Sequence, residues 1–334
     1  VFAVSRGPLP EIPLAAALPT TNPHWGVQGL LLVTVLVVAG LARYVAHWFR
    51  TTADAVRALS NPVRGRVETR LFLSMDRGGF FSEEGIAGAV RSVCLLKERA
   101  EQAGAEEISL LATSAARDAA NTAALARAIR DAAGLEMLVL DNRLEALLSY
   151  LGAVSALEAG VSAGVIDVGG GSVEVAVGTG GQIAYTASLQ LGASRLYAGY
   201  PINVPEDVAP ALDAAAQIAC ALPPLPFRPE RWIVVGGTGM ALRDIMLALP
   251  AGTVVEANYP FTRDDALAQL SMLAALPPEK RRGVTGLPAG REHILPTGLA
   301  AMLAVMDAVG AGAAEVTARC NCDGFLLYRM EEEI

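Results

Sequence analysis

Lysine is almost missing from this chain: Lys97 and Lys280 are the only two in 334 residues, so nearly all of the 26 basic side chains are guanidinium groups. Coding bias, which the heavy alanine use also reflects, is the plainer source of that excess. Histidine is scarce as well. His24, His47 and His293 are scattered, which excludes a histidine-clustered metallohydrolase centre. The four cysteines form no pair of pairs. Cys94 and Cys220 stand alone in apolar, helix-like stretches and read as small core residues. Cys320 and Cys322 make a lone Cys-x-Cys, too little for a zinc site. Reduced thiols and a cytoplasmic setting are the default. Charged residues are 18% of the chain against 53% hydrophobic, which leaves no compositional case for disorder. With Asp+Glu at 34, the formal net charge is −8. That excludes a protein built on sequence-independent contact with a nucleic-acid backbone, where affinity comes from cationic neutralisation. A polyanion can still be held where arginines focus in one cleft.

The length allows about two domains at roughly 150 residues each. The chain starts at Val1 rather than Met, as with a non-standard start codon or a trimmed chain. Residues 1–23 carry Pro8, Pro10, Pro13, Pro19 and Pro23 and read as an irregular leader. Trp25 to Ala42 is uncharged, with Leu30 to Val38 at its centre. It approaches the ~20 apolar residues of a membrane span. No basic n-region precedes it, so a secretory signal fits poorly. As an anchor, Arg43 and Arg50 behind it would leave the main body in the cytoplasm. A buried strand or pair of strands is the better reading, because Val and Leu dominate and strands covered on both faces are continuously apolar.

From Ser82 onward the pattern is α/β. A helix runs from Ser82 to about Ala103 with acidic residues in its first turn. Glu107–Ala112 is a strand, Ala119–Ala133 a helix, Leu135–Leu140 a strand and Glu145–Ala159 a helix. Val165–Val168, Val173–Val177 and Ile183–Ser188 form a meander across Gly-rich turns. A helical segment at Pro205–Leu222 precedes the strand Trp232–Val235, which ends in Gly236-Gly-Thr-Gly239. Helices at Thr262–Leu276 and Gly298–Val309, a small-residue turn, and a last strand and helix close the chain.

The sharpest motif is Val165-Ile-Asp-Val-Gly-Gly-Gly-Ser-Val-Glu-Val175. Three successive glycines let backbone N–H groups approach a phosphate with no Cβ in the way. Asp167, on the strand before the turn, is placed to hold Mg²⁺ or a water beside that phosphate. The plainer alternative is a glycine-rich hairpin with Asp167 capping its own turn.

This segment resembles the second phosphate motif of the exopolyphosphatase / guanosine pentaphosphate phosphohydrolase (Ppx/GppA) family, within the actin-like ATPase superfamily. Ala112-Thr-Ser-Ala-Ala-Arg-Asp-Ala-Ala-Asn121, Glu145-Ala-Leu-Leu-Ser-Tyr-Leu-Gly152, Leu191-Gly-Ala-Ser-Arg-Leu196 and Val234-Val-Gly-Gly-Thr-Gly-Met-Ala-Leu242 resemble further family segments in the same order. The likeness covers roughly residues 70 to 330. It implies an α/β fold of two ribonuclease-H-like domains with a cleft between them. The first would span 24–148, joined by a C-terminal helix at 322–334, and the second 149–321. It also implies a phosphohydrolase acting on polyphosphate or guanosine penta- or tetraphosphate with Mg²⁺, with no nucleic acid as partner and a homodimer as one assembly. Glu145 matches the general base and Arg117 a phosphate-pairing arginine. Asp167 matches the metal carboxylate, and Gly169, Gly170, Gly171 and Ser172 the phosphate cradle, with Glu174 beside it. The plainer alternatives are a solvated helix-start carboxylate for Glu145 and surface ion pairing for Arg117 and Arg195. Long family members add a histidine-rich C-terminal domain that this chain is expected to lack.

One segment departs from the family. Its first phosphate motif, Asp-x-Gly-[Ser/Thr]-Asn-[Ser/Thr], has as counterpart only His24-Trp-Gly-Val-Gln-Gly29. Agreement improves abruptly after about residue 65, as a start-site error upstream would also produce. The replaced Asp, hydroxyl and Asn favour the alternatives: a catalytically weak phosphate-binding protein of the same fold, or a membrane-tethered version. On the strand reading of Trp25–Ala42, deleting residues 1–45 abolishes the cooperative melting transition. An unchanged transition after that deletion would identify an anchor instead.

Overall fold

The computed structural model describes residues 2–6, 67, 69, 71–158, 160–251, 253, 255 and 257–332. Two compact units divide the chain: Val1–Arg6 with Gly65–Ile334, which holds everything described below, and Gly7–Arg64. The leader beyond Arg6, the Trp25–Ala42 strand and the His24–Gly29 counterpart lie outside the described residues. The start of the leader needs correction. β1 (Phe2–Arg6) is a strand that pairs antiparallel with β2 (Glu107–Ala112), Phe2 opposite Leu111. The prolines begin only at Pro8, so nothing in Phe2–Arg6 removes a ladder donor.

α1 (Glu83–Gln102) starts where Ser82 Oγ accepts the Gly85 N–H at 3.1 Å. The expected Ala119–Ala133 helix is split into α2 (Ser114–Asp118) and α3 (Thr122–Ala133). The break sits where Asn121 makes a two-way side-chain pairing with the backbone of Phe81, both bonds 2.9 Å. β3 (Met137–Val139) then runs parallel to β2, completing a three-stranded sheet among the described residues.

α4 spans Asn142–Val154, not Glu145–Ala159: Asp141 caps it by accepting the Leu144 N–H at 2.7 Å. Beyond it lies a six-stranded sheet. β4 (Ser162–Val168), β5 (Val173–Thr179) and β6 (Gln182–Leu189) form the expected antiparallel meander. α5 (Ala193–Gly199), which the periodicity did not announce, and α6 (Val208–Ala219) lead to β7 (Arg231–Val235), parallel to β4. The Gly236-Gly-Thr-Gly segment is the first turn of α7 (Gly236–Met246). β8 (Tyr259–Thr262), α8 (Arg263–Ala274), α9 (Pro278–Arg281), α10 (Leu295–Val309), β9 (Ala313–Val316) and α11 (Asn321–Glu332) follow. The spatial order is β6-β5-β4-β7-β9-β8, with β4, β7 and β9 parallel and the meander antiparallel.

Side-chain period two splits this sheet into two cores. Ile166, Val168, Val173 and Val175 join Leu299, Met302 and Met306 of α10 on one face. Ala163, Val165, Ala176 and Ile233 join Tyr150 and Ala153 of α4 on the other. Both faces being covered, β4 and β5 read as continuous apolar runs. Cys220 is exposed and so is not a core residue, whereas Cys94 is half-buried and packs against the core that holds Val93, Leu125 and Ile129.

α11 lies against α4. A Cβ at Gly324 would come within 1.8 Å of the Leu148 carbonyl oxygen, and one at Gly152 within 2.0 Å of the Cys320 carbonyl oxygen. Phe325 packs with Leu111, Leu140 and Leu148 at this seam. Because backbone cannot yield as a flexible side chain can, Gly324→Ala and Gly152→Ala should each lower stability by about 1–3 kcal/mol or more, read as a drop in the thermal midpoint.

Candidate active site

The alternation that builds the sheet also builds the site. Asp167 shares the α4-facing side of β4 with Ala163 and Val165, and Glu174 shares that side of β5 with Ala176. The register sets Asp167 directly opposite Glu174. Like charges across a strand pair are destabilising, so sheet stability alone does not account for this pair. On α4, Glu145 and Ser149 are one turn apart and share a face. Ser149 Oγ donates to Asp167 Oδ2 at 2.5 Å. Glu145, Asp167 and Glu174 are all buried.

A single guanidinium answers them. Arg117, near the end of α2, donates through Nη1 to Glu145 Oε2 at 2.5 Å and to the Leu140 carbonyl at 2.8 Å. Its Nη2 stands 3.9 Å from Glu174 Oε1. That nitrogen and Glu174 Oε2 are buried and make no hydrogen bond. Glu174 Oε1 accepts from Ser188 Oγ at 2.9 Å. Glu145 is therefore not a solvated helix-start carboxylate, nor is Arg117 a surface ion-pair partner, with 14% of its side chain exposed.

Burial dominates the proton affinities. Glu145 is pushed up to about 7 by burial, with Arg117 pulling it down and Asp167 pushing it further up. Burial also raises Asp167, against the Ser149 hydrogen bond. Glu174 is held well above the ordinary carboxylate value by burial and then by Glu145 and Asp167.

The Gly169-Gly-Gly-Ser172 turn joins β4 to β5 beside these groups. None of its glycines has positive φ, so glycine here provides space rather than a left-handed backbone. A Cβ on Gly171 would meet Ser114 Oγ at 2.5 Å. The Gly169 carbonyl accepts from Ala193 N–H at 3.0 Å and the Gly170 carbonyl from Ser194 N–H at 2.8 Å. The Gly171 carbonyl accepts from Arg195 Nε at 2.6 Å. All three carbonyls are turned to α5, and the Gly170 and Gly171 amides have no acceptor among the described residues. Gly236, at φ 88°, closes the far side: a Cβ there would come within 2.9 Å of Asp167 Oδ1. Asp167 bonds Ser149 rather than capping its own turn. Ser149 and Gly236 stand in segments the family resemblance picks out, but neither is given a role there, and Ser188 is not singled out; the i,i+4 spacing from Glu145 is a further signal for Ser149.

Among the described residues, no group of three His, Cys, Asp or Glu is disposed to hold a metal ion on protein ligands alone. No helix among them is long and apolar enough to cross a membrane, and Trp25–Ala42 lies outside them.

The parallel β4-β7-β9 core with its antiparallel meander is an α/β fold that solved structures share. An exopolyphosphatase-like protein matches with a TM-score of 0.72 at 20% identity, covering 82% of this chain and 94% of that one. An Aquifex aeolicus Ppx/GppA family member matches at 0.65 and 20% identity, covering 81% and 89%. The model of the Ppx/GppA phosphatase family matches residues 54–332, and the chain belongs to that family. A guanosine-5'-triphosphate,3'-diphosphate pyrophosphatase of Photobacterium profundum is 25% identical over 268 residues, 78% of this chain. The chain spans about half (52%) of that relative's length.

The raised Glu145 carboxyl has a consequence for stability. A carboxyl held above its ordinary 4.5 contributes fully below that value, and the contribution is lost as pH climbs through about 7. Relative to wild type, Glu145→Gln should therefore gain stability between pH 5 and pH 8, on the order of 3 kcal/mol. Thermal midpoints at the two pH values check this; a pH-independent difference would refute it.

Proposed function

We propose that this chain is a phosphohydrolase that releases terminal phosphate from inorganic polyphosphate or from guanosine penta- or tetraphosphate by attack of water. Glu145 is the general base. The water oxygen bonds the terminal phosphorus as the bridging P–O bond breaks. The water's proton passes to Glu145, and the shortened chain leaves as an oxyanion. Phosphoryl transfer asks mainly for positioning and charge neutralisation, and each part has a donor here. The Gly170 and Gly171 amides meet the terminal phosphate oxygens, with the Ser172 backbone and hydroxyl beside them. Arg117 turns its unused Nη2 toward the phosphoryl group while Nη1 holds Glu145 in line. Glu174 completes the acidic wall and keeps Arg117 oriented.

The observation that carries this reading is the pair of buried, unsatisfied atoms, Arg117 Nη2 and Glu174 Oε2, beside two amides without acceptors. Buried polar atoms of this kind ordinarily find a partner. A ligand rich in anionic oxygens supplies one for Arg117 and for the amides. The family membership supports the same reaction class.

An all-oxygen donor set suits Mg²⁺, which takes one or two carboxylates and completes its shell with water and phosphate oxygens. Asp167 would hold it, its Oδ1 kept clear of any side chain by Gly236. When bound, the ion neutralises charge on the transferring phosphoryl group.

With Mg²⁺ present, the protein should release phosphate from polyphosphate, and Glu145→Gln should lower kcat by roughly 10²–10⁴-fold. Glu145 acts as its carboxylate, so kcat should rise with pH and level off above about 7. Binding of polyphosphate with no release from any of these substrates would identify a binding protein of the same fold, which the replaced first motif favours.

A further inference from the structure

We propose that Arg195 is a positioning residue which, paired with Asp118, pins the triple-glycine turn to α2. It thereby fixes how far the turn's amides stand from Arg117. Its kinetic consequence rests on the phosphohydrolase reading; its structural one does not.

Arg195 leaves α5 and makes three contacts at once. Nε donates to the Gly171 carbonyl at 2.6 Å, Nη2 pairs with Asp118 Oδ2, and the guanidinium lies over the Phe72 ring at 4.6 Å. On α2, Ser114 and Asp118 are one turn apart on one face, and Ser114 Oγ approaches Asp118 Oδ2 at 3.4 Å. Ser114 is also the atom group against which Gly171 is packed. Arg117, the neighbour of Asp118, reaches Glu145. One five-residue helix thus carries both the guanidinium that orients the base and the carboxylate that tethers the phosphate turn. An exposed ion pair of this kind stabilises little by itself. The Gly171 bond gives it a different role, because a carbonyl held toward α5 turns the next amide, that of Ser172, the opposite way and fixes the last peptide of the turn.

The test is amide hydrogen exchange at Gly169, Ala193 and Ser194, whose N–H bonds form the turn and its seam with α5, together with KM and kcat for phosphate release. In Arg195→Ala, exchange at these three should quicken about tenfold or more while Ile233 and Val235 of β7 stay unchanged. KM should rise about tenfold with a smaller change in kcat. Arg195→Lys keeps the charge but not the two-pronged contact and should restore only part. Asp118→Asn should give the same exchange signature, and the double variant no more than either alone. Unchanged exchange in Arg195→Ala, or effects of the two substitutions that multiply independently, overturns the proposal. If Arg195→Ala does not fold, Arg195→Lys and Asp118→Asn decide it by the same exchange measurement. A wild type that releases no phosphate while exchange responds sinks the hydrolase reading and leaves the pin standing. The reverse pattern does the opposite.

Discussion

Three buried carboxyls answered by one guanidinium is the constraint around which this molecule is arranged. Glu145, Asp167 and Glu174 crowd one side of the β4–β5 ladder, and Arg117 is the one cation whose described contacts reach them. Burial alone raises the proton affinity of each, and proximity raises it further for Glu145 and Glu174. Such an arrangement costs stability at neutral pH. It persists because its supports are fixed by strand pairing, a helix cap and close backbone packing. The strand register and the side-chain period fix two of the carboxyls, and a capped helix clamped between a sheet and α11 fixes the third. Destabilised charge held by an over-determined frame is a common mark of functional sites.

That frame also explains why much of the site was legible in the sequence. Asp167 and Glu174 lie on strands whose alternation can be counted, so their common face follows from period two and a four-residue turn. Glu145 and Arg117 came from resemblance, and the bare residue patterns around them pointed the other way. Arg117 sits next to last in a five-residue helix, and the local sequence says nothing of a carboxylate 28 positions on. The same gap hid the contact of Gly236 with Asp167 and the Arg195–Asp118 tether, which join segments far apart in the chain, while Ser188 meets Glu174 through the β5–β6 register.

Element boundaries failed for more local reasons. α4 starts three residues before Glu145 because Asp141 can accept an amide bond, and a capping aspartate carries no apolar period. β8 is four residues long and begins Tyr259-Pro260, a pattern that reads as loop. α5 is held by Gly170 carbonyl bonds and packing on α10 rather than by an amphipathic pattern of its own. β1 was masked by the prolines that follow it, although its pairing with β2 needs only an unblocked backbone.

Composition set a further ambiguity that geometry resolves at one position. Arginine replaces lysine nearly everywhere in this chain, so arginine at any one place carries little information. At 117 it does. Nη1 bonds a backbone carbonyl and the Glu145 carboxylate together, which locks the plane of the guanidinium and leaves Nη2 projecting beside Glu174 without a bond. An ammonium could meet the first two acceptors only by rotating its donors among them, and it has no rigid second arm to hold free. The fork therefore separates two duties that a point charge would merge: fixing the carboxylate on one side and, on the proposed phosphohydrolase reading, keeping a preset donor for an incoming oxyanion on the other.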